Sequence, residues 1–114
     1  LLKRTRNKVL NKNKVLQEFA KRMNVTPMQI ISKNKSSHIS DIRHLYCKLR
    51  YEMHGLTYFR TGCEIGRHHS SVRYGIMRIN NLLLSMFQAP HRTSQQNHIV
   101  ISLHKLQLQL HLIN

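Results

Sequence analysis

The chain has 114 residues, enough for one domain with a modest core. Lys and Arg number 19 against 4 Asp and Glu, a formal net charge of +15. An excess of that size points to a polyanionic partner, whose phosphates release counterions as they are neutralised. The plain alternative is a solvated basic surface that tolerates its own repulsion.

Lys3, Arg4, Arg6, Lys8, Lys12 and Lys14 make residues 1–14 a basic arm or the opening of a helix. From Val15 a helical stripe of Leu16, Phe19, Ala20 and Met23 forms, and Asn24 is placed to stop it. Thr26, Pro27 and Gln29 spell a capping box that starts a short helix over Met28, Ile30 and Ile31. Residues 32–38 contain no apolar residue and read as an exposed basic loop. Ser40 is the expected cap of the next helix, with Ile42, Leu45, Leu49 and Met53 buried, Tyr46 at the edge and Gly55 beyond its C-terminus.

Thr57 is expected to cap a short helix running to about Ile65, and Gly66 to make a turn. The last helix of the domain spans about 69–87, with Val72, Ile76, Ile79, Leu83 and Met86 on one face. Pro90 closes it, and residues 91–98 read as a polar linker. Residues 99–114 fit both an alternating strand and a helical face, and helix is favoured because every preceding element is one. The predicted organisation is an arm at 1–14, a domain at 15–88, and a linker with an amphipathic segment at 89–114. The predicted fold is all-α, a small helical bundle with a helix-turn-helix.

Ile65-Gly66-Arg67-His68-His69-Ser70-Ser71-Val72 carries the functional signal. A glycine turn leads into a polar first helical turn whose later turns are anchored by apolar residues. Such a helix suits insertion into a DNA major groove, where its first turn supplies donors to phosphates and base edges. Arg67 and His69 are the leading base or phosphate contacts, joined by His68, Ser70 and Ser71. Ser70 and Ser71 serve equally well as caps of that helix. Arg73 and Arg78 lie on its polar side as phosphate contacts, while Lys48 and Arg50 fall on solvated faces. The amides after Thr57 sit at a helix N-terminus, which favours phosphate, although Thr57 is also a sufficient cap by itself.

Across residues 15–84 the chain resembles the C-terminal DNA-binding domain of DnaA, the bacterial replication initiator. The likeness rests on the Ser32-Lys33 loop, Arg43, Leu56-Thr57 with Gly62, and the segment 65–72, which is similar to that family's Phe-Gly-Gly-Arg-Asp-His-Thr-Thr-Val. It implies a Trp-repressor-like helix-turn-helix that binds double-stranded DNA. It further implies that Lys33 and Lys35 belong to a minor-groove loop and that Arg43 contacts a phosphate. This chain has one glycine fewer before Arg67, His68 in place of the aspartate, serines in place of both threonines, and Phe59 in place of a proline. Those changes predict weak discrimination of the initiator's own DNA box.

No Gly-x-x-x-x-Gly-Lys-[Ser/Thr] loop occurs, so no nucleotide and no other cofactor is expected. Two-metal phosphodiester cleavage needs converging carboxylates, and Glu18, Asp41, Glu52 and Glu64 are dispersed, so the chain reads as a non-enzyme. Cys47 and Cys63 form no Cys-x-x-Cys pair, so no metal site is expected and a reducing, cytoplasmic, nucleoid-associated setting fits best. No apolar run is long enough to span a bilayer, so no membrane partner is expected. The alternatives are a transposase- or repressor-type DNA-binding module of a mobile element, and a basic RNA-binding protein.

Overall fold

The computed structural model describes residues 12–88. Most of the basic arm and all of the linker and C-terminal segment lie outside these described residues. Within them the chain forms helices α1 (Lys14–Arg22), α2 (Pro27–Ile31), α3 (Ser37–Glu52), α4 (Tyr58–Ile65) and α5 (His69–Gln88), and no strand. The expected all-α bundle is what forms.

Each helix begins at a residue chosen for its side-chain acceptor. The Asn13 Oδ1 atom accepts from the amide of Leu16 at 3.1 Å and opens α1. Asn24, left-handed at φ +58°, turns the chain after its end. The capping box of α2 is complete: Thr26 Oγ1 accepts from the Gln29 amide at 3.2 Å, and Gln29 Oε1 accepts from the Thr26 amide at 2.9 Å.

Helix α3 starts earlier than the sequence reading placed it. Ser36, not Ser40, is its cap, with Oγ accepting from the Ile39 amide at 3.4 Å. The Asn34 side chain in turn accepts from the Ser36 amide at 2.9 Å. Ile39 is buried, so the apolar stripe begins one turn before Ile42 and the basic loop shortens to residues 32–36. At the other end Met53 is exposed, because the helix stops at Glu52 and leaves Met53 as the C-cap.

Helix α3 packs along α5, and α4 lies against both. Leu16, Phe19, Ile30, Ile42, Leu45, Leu49, Ile65, Val72, Ile76 and Ile79 fill the space between the helices. Each such side chain contributes about 1.5–3 kcal/mol by leaving water. Tyr46 is fully buried rather than at the edge. Its ring meets Phe19 edge-on at 5.2 Å, and its hydroxyl donates to Glu64 at 2.7 Å.

The α4–α5 turn depends on two glycines. Gly66 ends α4 at φ +65°, a conformation that costs other residues energy. Gly62 lets the Arg67 carbonyl approach to where a β-carbon would stand, 2.3 Å from that position. The stripe Val72, Ile76 and Ile79 is buried as expected and Leu83 is partly so, while the Met86 side chain lies outside the described ones.

Candidate nucleic-acid interface

Where the few carboxylates go decides which cations are left for a partner. Glu18 pairs with Arg22 at 3.1 Å, Glu52 with Lys48, Glu64 with Arg50 at 2.8 Å, and Asp41 with Arg78 at 2.6 Å. Three expectations are corrected here. Arg78, expected on the polar face as a phosphate contact, is instead paired with Asp41, which is only 3% exposed, and lies 3.3 Å from His44 Nδ1. Arg50 and Lys48 are not on solvated faces. Arg50 grips both oxygens of Glu64, and Lys48 bonds Glu52 and Asn80. Burial alone would raise the Glu64 carboxyl, but hydrogen bonds from Arg50 and Tyr46 outweigh it and hold it below the usual carboxylate range.

Arg43 and Arg67 have a different task. Arg43, 7% exposed, donates from Nε to the Ile30 carbonyl at 2.7 Å, and from Nη2 to Ser32 at 2.9 Å and Asn34 at 3.1 Å. Arg67, half-buried, donates from Nη1 to Ile31 at 3.1 Å and to Ile65 and Gly66 at 3.3 Å, and from Nη2 to Ser32 at 2.5 Å. The expectation that Arg43 meets phosphate from the surface is therefore corrected. Its guanidinium is turned inward onto carbonyls at the C-terminal end of α2 and in the loop after it, which have no partner within a helix. Arg67, expected to touch bases or phosphates, ties the same loop to the α4–α5 turn.

The result is a cleft of about 450 Å³ between loop and α5, lined among others by Lys33, Lys35, Arg43, Arg67, Ser71 and Tyr74. Lys33 and Lys35 are exposed, as are His69, Ser70 and Ser71 in the first turn of α5 and Arg73 just beyond it. His68 is exposed but bonded. Its Nδ1 accepts from the Ser70 amide at 3.2 Å and lies 2.8 Å from Ser70 Oγ. An amide pointing at Nδ1 puts the ring proton on Nε2 and makes the Ser70 hydroxyl a donor. His68 thus caps α5, leaving Nε2–H to face outward beside the His69 ring, 4.0 Å away. Thr57 also caps, accepting from the Arg60 amide at 3.1 Å.

The sequence reading missed Tyr74 and His44. Tyr74 is 64% exposed on the side of α5 opposite the buried stripe, and its position two residues after Val72 was the available signal. Its ring meets His44 edge-on at 6.1 Å. Burial first, and then the charge of Arg78, push His44 down to about 4, so it is neutral near pH 7. No sequence pattern marks His44, because its surroundings come from α5.

Among the described residues, no group of three or more His, Cys, Asp or Glu could hold a metal ion, and no helix is long and apolar enough to cross a membrane. Cys47 is buried and Cys63 exposed, both as thiols. No protein-family model matches the chain, and no curated protein matches it significantly.

Proposed function

We propose that this protein binds double-stranded DNA without catalysing a reaction, placing the first turn of α5 in the major groove and the 32–36 loop on the flanking backbone or minor groove. The observation that carries this reading is the tie between the two. Residues 33–35 of the loop and Arg67, Ser71 and Tyr74 beside them, far apart in sequence, line one cleft, and Arg43 and Arg67 bond the loop's carbonyls. The resemblance of 65–72 to the replication initiator's recognition segment supports the same role, that of a DNA reader without an ATPase. The charge supports it as well, since all four carboxylates are already paired and the exposed Lys33, Lys35 and Arg73 are available to phosphates.

Selection of bound duplexes from a random pool, followed by salt titration of the winners, tests the proposal. Affinity should fall with a log–log slope of about −0.9 for each phosphate contacted. His69→Ala should cost about 1–3 kcal/mol on the selected site while sparing random DNA. A second reading, single-stranded RNA, is favoured by one observation: Phe59 and Tyr74 are 65% and 64% exposed, as base-stacking rings are. Equal or tighter binding to single-stranded RNA of the same length would establish it instead.

A further inference from the structure

The centre of the cleft holds an electrostatic imbalance. Arg43 Nη2 and Arg67 Nη2 donate to the same acceptor, the Ser32 carbonyl oxygen, at 2.9 and 2.5 Å. Two guanidiniums therefore converge on one atom. Each of the chain's four carboxylates is engaged by another cation, and none lines the cleft. Burial, and then the charge of Arg67, hold the pKa of Arg43 below its ordinary value. Like charges brought together in a partly buried site are stabilised by an anion between or above them. Lys33 and Lys35, exposed on the loop, and Ser71, exposed on α5, line the same cleft. The volume of about 450 Å³ lies in the range of ligand clefts.

We propose that this cleft is a seat for one phosphate group, with Lys33, Lys35 and Ser71 as its direct ligands and the Arg43–Arg67 pair as its charged floor. The source of that phosphate, a diester of the DNA backbone passing between loop and α5, rests on the reading above. The seat itself rests on phosphate chemistry alone. Lysine and hydroxyl donors at the rim suit a phosphate's acceptor oxygens, and charge-assisted bonds of this kind are roughly twice as strong as neutral ones.

Two arms separate a free phosphate from a backbone phosphate. In the first, inorganic phosphate is titrated at constant ionic strength into the wild type, the double variant Lys33→Gln/Lys35→Gln, Ser71→Ala, and the control Lys21→Gln on α1. All four residues are exposed, so the fold is retained. Phosphate should raise the melting temperature of the wild type and of Lys21→Gln alike. Its affinity should fall about a hundredfold in the double variant, two lost charge-assisted bonds at about tenfold each, and less in Ser71→Ala. In the second arm, a selected duplex carrying a single uncharged methylphosphonate is scanned along its length. One position should cost the wild type about tenfold and the double variant much less. Phosphate affinity equal in all four proteins overturns the seat, even where duplex binding persists. Phosphate bound as expected, with no duplex able to displace it, keeps the seat, assigns it to a free phosphate and removes the DNA reading.

Discussion

The substitution Gly62→Ala acts at the closest approach between α4 and the turn that follows it. A β-carbon there would stand 2.3 Å from the Arg67 carbonyl oxygen, 3.4 Å from the Arg67 carbonyl carbon and 3.5 Å from Val72 Cγ2. Contacts under 3.0 Å essentially do not occur, so the carbonyl must retreat by about 0.7 Å. The neighbour is backbone and cannot rotate away. Moving it disturbs the amide of Arg67, bonded to the Gly62 carbonyl at 2.9 Å, and draws Val72 out of the core. Alanine within a helix would otherwise gain about 1 kcal/mol over glycine. Overpacking of this kind costs about 1–3 kcal/mol, and a rigid neighbour places the cost at the upper end, leaving a net loss of about 2 kcal/mol. For a domain of this size that lowers the melting temperature by roughly 8–16 °C. Thermal and urea denaturation of the variant beside the wild type measure it. A Gly62→Ala protein as stable as the wild type, or more so, would refute the close approach, and with it the geometry that hands Arg67 to the loop.

Acid sensitivity should trace to His44. Its folded value of about 4 lies below the ordinary 6.5, so the unfolded chain takes up a proton first and stability drains away as pH falls from about 6.5 to 4. That depression corresponds to about 3 kcal/mol. In urea titrations at several pH values His44→Gln should flatten this interval, and an unchanged slope would return the effect to other groups. Glu64, held low by Arg50 and Tyr46, adds its own loss in the same direction only below about 4.5. The cap of α5 predicts that His68→Ala loses about 1 kcal/mol while His68→Asn, which retains an acceptor, loses little. Equal urea midpoints for wild type and His68→Ala would show that His68 is not the cap.

Local chemistry was legible in the sequence wherever the partners are close in the chain. Thr26 and Gln29 cap each other across three residues, Thr57 caps the helix after it, Gly66 turns left-handed, and Val72, Ile76 and Ile79 are buried at helical spacing. These follow from dihedral preferences and periodicity that a short segment carries by itself. The early start of α3 was hidden because its first turn holds a single apolar residue, Ile39, directly after the polar run 32–38. The roles of the basic residues were decided by tertiary structure alone. Arg50 and Arg78 look as free in the sequence as Arg73 does, yet each meets a carboxylate, 14 and 37 residues away respectively, and Lys48 adds Asn80, 32 residues away, to its neighbour Glu52 on the same helix. Arg43 and Arg67 look like surface contacts, but packing α3 against the α4–α5 turn brings both to the Ser32 carbonyl. Sequence sets the sum of charge, whereas an ion pair or a carbonyl bond falls off within a few ångströms. Only the packed chain determines which cations are consumed in holding the loop and which remain facing water.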